Sequence, residues 1–322
     1  MPPDRTPLIQ PSTKAYWQQA KDKEGFSFFD RLHGYIYARW IYLYIGLASG
    51  RHPLTKKLGP PIAKFGTKLI LLFGKKQNTP EEAASKKARI TFADTYHGKV
   101  LPLESAKEMV MVKEDINMPD LEKVIPYNSA REIVLQNPDH IVVMDCPCRV
   151  AQENPCAPID VCLVIGEPFA SFVTEHHPER SRWITPDEAV DIIQAEEDRG
   201  HVHHAFFKDA MLGRFYAICN CCSCCCAAIN AHHNGTPMLA SSGYVAQVDE
   251  DECVACGVCA DVCQFDALAL GDDAITVDRA ACMGCGVCVS HCPQDALSLL
   301  RDLTKGEPLE IHALMEDALR AS

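Results

Sequence analysis

Eighteen of the 322 residues in this chain are cysteines, and eight of them form two copies of one spaced motif. The copies begin 29 residues apart and are Cys253-x2-Cys256-x2-Cys259-x3-Cys263 and Cys282-x2-Cys285-x2-Cys288-x3-Cys292. Cysteine thiolates are metal ligands, and a cubane iron–sulfur cluster needs four of them in a tetrahedral arrangement. A tight C-x2-C-x2-C loop can present only three thiolates to one cluster, so the fourth must come from elsewhere in the chain.

The segments CVACGVCADVCQFDALAL and CMGCGVCVSHCPQDALSL resemble the two halves of a bacterial 2[4Fe–4S] ferredoxin over residues 244–300. In that family the last cysteine of each motif ligates the other cluster. The resemblance therefore implies two [4Fe–4S] clusters, one ligated by Cys253, Cys256, Cys259 and Cys292, the other by Cys282, Cys285, Cys288 and Cys263. The chain departs from the family at Gln264, where the second motif has Pro293. Zinc is the alternative metal, since paired C-x2-C runs also bind zinc, but the duplicated four-cysteine spacing favours iron–sulfur clusters.

The other ten cysteines fall into two groups in the middle of the chain, Cys146, Cys148, Cys156 and Cys162, then Cys219, Cys221, Cys222, Cys224, Cys225 and Cys226. The first group follows a predicted strand, His140–Asp145, and runs through a proline-containing loop. The second is the run CNCCSCCC, which directs its thiols to at least two sides whether it is helical or extended. We expect the ten to ligate metal, as one or two further iron–sulfur clusters. The alternative is that several are buried thiols, which pack like small apolar side chains.

The combination of CPCR with CNCCSCCC resembles a group of Cys-rich ferredoxin-like proteins of anaerobes, which implies iron–sulfur chemistry and no particular activity. Thr185 and Pro186 predict the start of a helix that runs to about Arg199, and a strand is predicted at His201–Phe207.

Single histidines are more often structural than functional, but several near the cysteines are candidate ligands or proton donors: His176, His177, His201, His203, His204, His232 and His233.

The N-terminal part of the chain is basic, although the whole chain carries a net charge of −12. From Arg31 to Lys76 there are nine Lys or Arg residues and no Asp or Glu. This stretch contains the apolar, aromatic segment Tyr35–Ala48, which is shorter than the roughly 20 residues that cross a bilayer, and an amphipathic segment, Ile62–Phe73. The pattern is typical of a helix at a membrane surface. It is equally typical of core or partner-binding helices whose lysines reach out to solvent.

Composition narrows the class of protein further. The chain is long enough for two or three structural units, and with no convincing signal peptide we expect a reducing, cytoplasmic setting for its cysteines. A nucleic-acid partner is not expected, because the basic stretch has no recognition motif and the rest of the chain is acidic. Nucleotide-binding and zinc-protease motifs are absent.

The expected fold class is α+β. We predict a basic amphipathic helical region at 1–95, a Cys-rich iron–sulfur domain of α+β type at 96–240, a 2[4Fe–4S] ferredoxin module at 241–302 and a C-terminal helix at 303–322, near Pro308–Ala321.

The predicted function is the relay of low-potential electrons through the two ferredoxin-type clusters and those of the middle domain. The partner would be a redox protein or a larger redox complex, with contact to the cytoplasmic membrane face through residues 31–76 as a further expectation. The alternative is an iron–sulfur oxidoreductase whose catalytic cluster is built from the middle-domain cysteines, and metal storage or cluster delivery is a third class.

Overall fold

A computed structural model describes residues 9–53, 55, 96–118, 124 and 132–321. Within these ranges the chain forms helices and mixed sheets, an α+β architecture as predicted. The helices are α1 (Pro11–Asp22), α2 (Phe28–Arg39), α3 (Ile41–Ala48), α4 (Leu103–Val110), α5 (Pro147–Val150), α6 (Phe169–His176), α7 (Pro186–Glu197), α8 (Ala227–His233), α9 (Val258–Asp261), α10 (Val287–Ser290) and α11 (Ile311–Ala321). The strands are β1 (Tyr96–Leu101), β2 (Ile116–Met118), β3 (Ile133–Leu135), β4 (Ile141–Asp145), β5 (Asp160–Ile165), β6 (Ser181–Ile184), β7 (Val202–Lys208), β8 (Arg214–Cys221), β9 (Leu239–Ala240), β10 (Tyr244–Val248), β11 (Leu268–Leu270), β12 (Ile275–Val277) and β13 (Leu297–Arg301).

Seven strands form the central sheet, in the order β6-β4-β5-β8-β7-β1-β9. All neighbouring pairs are antiparallel except β1 and β9, which are parallel. The register places Cys219 of β8 between Cys162 of β5 and His204 of β7. Directly opposed residues of neighbouring strands project from the same face of a sheet, so these three side chains form one row.

The two faces of the central sheet bury different sets of side chains, because successive residues of a strand alternate between faces. On one face, Leu163 and Ile218 pack with α4 and α7. On the other, Cys162 and Cys221 belong to a core that also contains N-terminal helices and the cysteine motifs of the C-terminal part of the chain. The chemistry-bearing residues therefore share one side of the sheet.

The apolar segment Tyr35–Ala48 forms the end of α2 and all of α3, and much of it lies in this core. Tyr37 is 2% exposed, and its hydroxyl lies 2.9 Å from that of Tyr216 on β8. The core-helix interpretation therefore applies to this part of the basic region. The amphipathic segment Ile62–Phe73 lies outside the described residues. None of the helices within the described ranges is long and apolar enough to cross a membrane.

The duplicated cysteine motifs lie between β10 and β13, which pair with each other, and each motif leads into one of the short helices α9 and α10. Gly257 and Gly286 precede these helices with φ of +81° and +89°, a left-handed conformation that glycine adopts at low cost. The predicted terminal helix is present as α11, and Ile311 at its start is fully buried in the core beside α4.

The predicted elements of the middle region are close to those observed. The strand before the first cysteine group is β4, the capped helix is α7, with Thr185 Oγ1 accepting a hydrogen bond from the Glu188 amide, and the following strand is β7. Two corrections concern the loop predicted for the first cysteine group, because Cys148 lies in the single helical turn α5 and Cys162 lies in strand β5.

Candidate metal centres

Four of the eight motif cysteines line a cavity of about 290 Å³: Cys253, Cys256, Cys259 and Cys292. Three come from the first motif, and Cys292 is the last cysteine of the second. The rest of the lining is mostly apolar and includes Ile275 and Leu297. The structure thus brings together the four residues that the ferredoxin resemblance implies for one cluster.

The other four motif cysteines line a second cavity, of about 350 Å³: Cys263, Cys282, Cys285 and Cys288. The amide of Ala267 donates a hydrogen bond to Cys263 Sγ, and that of Ala246 donates one to Cys282 Sγ, both at 3.4 Å. Amide donors to ligand sulfurs stabilise the reduced, more negative state of a cluster and are one means of setting its potential. The crossed arrangement of the two motifs is therefore present in both cavities.

Six of the ten middle cysteines form a ring in which each thiol interacts with two others, in the order Cys146, Cys148, Cys226, Cys221, Cys219 and Cys162. The ring joins both sequence groups, and the sulfurs of Cys162 and Cys219 lie 4.0 Å apart across neighbouring strands. Interaction with Cys146 and burial raise the pKa of the Cys162 thiol well above its ordinary value. Without a metal these thiols are therefore neutral, and six thiolates at this place need cationic compensation.

The remaining four middle cysteines form a separate nest: Cys156, Cys222, Cys224 and Cys225. Their sulfurs all lie within 4.8 Å of one another. Cys222 and Cys225 are buried, whereas Cys224 is exposed. The hydrogen bond with Cys224, at 2.9 Å, lowers the pKa of the Cys156 thiol. The run CNCCSCCC thus directs its thiols to two sites.

Arg149, which follows the CPC turn, is only 1% exposed and forms a buried ion pair with Glu196 at 2.5 Å. It also donates to the carbonyl oxygens of Pro158 and Asn220. Burial alone would raise the pKa of Glu196, but a hydrogen bond from His201 and the charge of Arg149 outweigh it and lower that pKa. Arg149 therefore ties the loop of the first cysteine group to α7 and β8.

Gln264, the residue that replaces the family's proline, connects the C-terminal module to the middle region. Its amide nitrogen donates to the Gly200 carbonyl oxygen at 2.9 Å, and its Oε1 accepts from the Ser223 amide at 2.7 Å. Proline could make neither bond. Since Gln264 is bonded to Cys263 and Ser223 lies between Cys222 and Cys224, one side chain joins a cavity cysteine to the nest.

The candidate histidines have mostly structural contacts. His203 hydrogen-bonds Asn220 and Glu197, and His201 hydrogen-bonds Glu196. His204 is different: it is fully buried beside Cys219, and neither ring nitrogen has a hydrogen-bond partner within the part of the chain that the structure describes. Burial lowers its pKa to about 3, so the ring is neutral and retains one N–H donor.

Sequence reasoning missed three contributors to these centres. Arg51 donates to the Cys225 carbonyl oxygen at 2.7 Å, and Gln152 donates to that of Cys224 at 2.9 Å. Neither residue carries a motif that could reveal this role. For Gln264 a signal did exist, because it stands where the ferredoxin pattern has proline.

Residues 246–299 match the family model of the 4Fe-4S dicluster domain. No curated protein matches this chain at a significant level. The family match falls on the segment that contains both cysteine-lined cavities, and it supports the binding of at least one iron–sulfur cluster. The chain therefore carries a ferredoxin-type 4Fe-4S domain in its C-terminal part.

Proposed function

We propose that this protein transfers electrons through iron–sulfur clusters, two of them [4Fe–4S] clusters in the ferredoxin-type domain. The observation that carries the proposal is the crossed lining of the two cavities, in which each motif gives three cysteines to one cavity and its last cysteine to the other. This is the ligand pattern of two-cluster ferredoxins. No step of substrate chemistry is needed to explain it.

The six-cysteine ring is the proposed site of a further iron–sulfur cluster. A cubane needs four thiolates, and the ring has six, so it can supply every ligand of a cluster without help from the nest. His204 supports this assignment, because an unpartnered N–H on the same sheet face can donate to a cluster sulfur. The burial of Cys146, Cys162 and Cys221 favours electron transfer over catalysis, since a substrate would have to reach the cluster.

The electron route proposed between the two regions runs by way of Gln264. Cys263 and Cys285 line the same cavity. Burial raises the pKa of the Cys285 thiol most, followed by the charges of Cys288, Cys263 and, as the smallest contribution, Glu197 on α7. Ser290 of the module donates a hydrogen bond to Glu197. The module and the middle region thus meet next to this cavity, and this contact supports a relay that passes through a cluster held there.

A redox protein or redox complex is the proposed partner, and the N-terminal helices are the proposed docking region. They expose large apolar side chains, among them Phe28, Phe29 and Trp40 at 56%, 52% and 46%. Contact with an anionic membrane surface remains part of the same proposal. Sedimentation with phosphatidylserine vesicles tests it: binding that a Trp40→Ala variant loses supports membrane contact, and equal recovery with and without vesicles contradicts it.

Iron and acid-labile sulfide per chain, measured on protein purified without oxygen, test the electron-transfer proposal. Two cubanes carry about eight irons, and a further cubane raises the count to about twelve. A Cys146→Ala/Cys162→Ala/Cys219→Ala variant leaves the ring only three thiols, so it should lose the additional iron and sulfide but keep the EPR signal of the reduced ferredoxin-type pair. Val164→Ala, on the same strand and in the same core, is the matched control.

Each outcome decides one part of the proposal. About eight irons in the unchanged protein, all insensitive to the triple variant, would remove the cluster from the six-cysteine ring. An iron content well below eight would contradict the two ferredoxin-type clusters themselves.

A further inference from the structure

We propose that the nest of Cys156, Cys222, Cys224 and Cys225 binds a single tetrahedral metal ion, zinc or iron, rather than a cluster. The ion would be separate from the ferredoxin-type clusters and from the six-cysteine ring. This inference does not depend on electron transfer, because a mononuclear site can be present whichever way the clusters are used.

The spacing of the sulfurs is the first observation. A metal ion with four thiolates at about 2.3 Å holds neighbouring sulfurs about 3.8 Å apart. The Cys156 sulfur lies 3.8 Å from that of Cys222 and 3.6 Å from that of Cys225. Cys224 lies 3.7 Å from Cys225 but only 2.9 Å from Cys156, so it must move outward by about 1 Å, which its exposed position allows.

The contrast with the motif cysteines is the second observation. In a cubane each thiolate binds a different iron at a corner of the cluster, so the four sulfurs lie much farther apart than around one ion. Within the described ranges, the nest is the only set of three or more Cys, His or carboxylate ligand atoms that all lie within 4.8 Å. The motif cysteines instead surround cavities of about 290 and 350 Å³. One chain thus has two kinds of thiolate site.

The backbone of the nest is the third observation. Cys222 and Cys225 have the C-x2-C spacing common in zinc sites, and the amides of Cys225 and Cys226 both donate to the Cys222 carbonyl oxygen, which closes a tight turn. Side chains from two other segments, Arg51 and Gln152, hold the carbonyl groups of Cys225 and Cys224. The turn is therefore fixed from outside, as expected for a site that is formed before the ion binds.

Because Cys156 comes from a different loop from the other three ligands, an ion in the nest would also hold two loops together. It is the only ligand of the nest from the loop between α5 and β5, whereas the other three lie between β8 and α8. An ion in the nest would join these two loops, and the elements beside them supply cysteines to the six-cysteine ring, Cys148 on α5 and Cys162 on β5 beside the first loop and Cys219 and Cys221 on β8 beside the second. It would also fix Ser223, whose amide meets Gln264.

Metal and sulfide analysis of the full-length protein, purified without oxygen, tests the inference. Relative to the unchanged chain, Cys224→Ser and Cys156→Ala should each lose one metal ion per chain with no loss of acid-labile sulfide. Cys256→Ser, in the ferredoxin-type motif, should lose iron and sulfide together and is the reference for the loss of a cluster. Ser223→Ala, within the nest turn but without a thiol, should retain all metal, and circular dichroism checks that each variant is folded.

X-ray absorption at the edge of the metal that is lost gives the second readout, taken as the difference between the unchanged chain and Cys224→Ser so that the irons of the clusters cancel. We expect four sulfur neighbours at about 2.3 Å and no metal neighbour. Metal–metal scattering, loss of sulfide from Cys224→Ser, or unchanged metal in both nest variants would overturn the inference. So would a disulfide between Cys156 and Cys224 in the anaerobically purified protein. None of these results would change the iron count assigned to the ferredoxin-type domain, so the two proposals fail separately.

Discussion

Gln264 lies where the C-terminal module meets the middle region, at a position where the ferredoxin pattern has a rigid proline. Proline there would restrict the backbone next to Cys263, whereas glutamine adds one donor and one acceptor. Both are used, towards Gly200 and Ser223. The same position in the second motif holds Pro293, which is exposed. The two halves of the duplicated module therefore differ where one of them meets the middle region.

Substitution of Gln264 should separate cluster binding from communication between the regions. Gln264→Ala removes both hydrogen bonds, and at about 1 kcal/mol each the melting temperature should fall by a few degrees. Iron and sulfide should stay unchanged, while electron exchange between the clusters proposed for the ferredoxin-type domain and the one proposed for the six-cysteine ring slows in stopped-flow measurements. Gln247→Ala, at an exposed position on β10, is the control. Equal behaviour of the two variants would contradict a role for Gln264 in coupling.

The N-terminal helices show why an apolar, basic stretch cannot be interpreted from composition alone. In α2, Gly34 lies so close to its surroundings that an added Cβ would overlap Tyr16 Oη and the carbonyl oxygen of Ala210. Tyr16 itself donates to that carbonyl oxygen at 3.1 Å. The contact draws α1 and α2 onto the turn that follows β7. These helices are thus an integral part of the core on the cysteine-bearing side of the sheet.

Alanine substitutions at two helical glycines test this packing. Gly34→Ala should lower the free energy of unfolding by about 1–3 kcal/mol, because the overlap forces helix displacement and weakens the Tyr16 hydrogen bond. Gly46→Ala is the matched control in α3, since its Cβ would lie at an ordinary 3.5 Å from His52. Thermal unfolding measures both. Since alanine has the higher helix propensity, a loss of stability from Gly46→Ala as large as from Gly34→Ala would show that a general effect of the substitution, not the close approach, is responsible.

At the scale of the whole molecule, the C-terminal segment closes over the sheet at a buried lysine. Lys99 of β1 is 1% exposed and donates to the Glu307 carbonyl oxygen at 2.6 Å. Burial, together with the charge of Arg301, lowers the pKa of Lys99 from 10.5 to about 7. The charged form of Lys99 is therefore unfavourable in the folded protein but not in the unfolded chain. The stability of this contact between β1 and the C-terminal segment thus depends on pH.

The contribution of Lys99 to the melting temperature, measured as the difference between the unchanged chain and Lys99→Met, should therefore rise as pH increases from about 7 towards 10. In this window the unfolded chain keeps the proton on Lys99 while the folded protein has lost it, so higher pH favours folding, by on the order of 3 kcal/mol over the full window. Lys99→Met should remove most of the rise. Lys107→Met, on the partly exposed face of α4, should preserve it. An identical pH profile for Lys99→Met and the unchanged chain would contradict the lowered pKa.

The sequence by itself determined the chemistry of the C-terminal part, because ligand spacing is a local property of the chain. The resemblance of the two C-x2-C-x2-C-x3-C motifs to those of bacterial two-cluster ferredoxins implied which cysteines meet. The strands and helices flanking the middle cysteines followed from their own caps and patterns. The grouping of the ten middle cysteines could not be predicted in this way. Cys156 joins the nest and Cys162 the ring although only five residues lie between them, and which thiols of CNCCSCCC face them depends on the β5–β8 register. Register is set by distant strands, so only the tertiary structure could divide these cysteines into two sites.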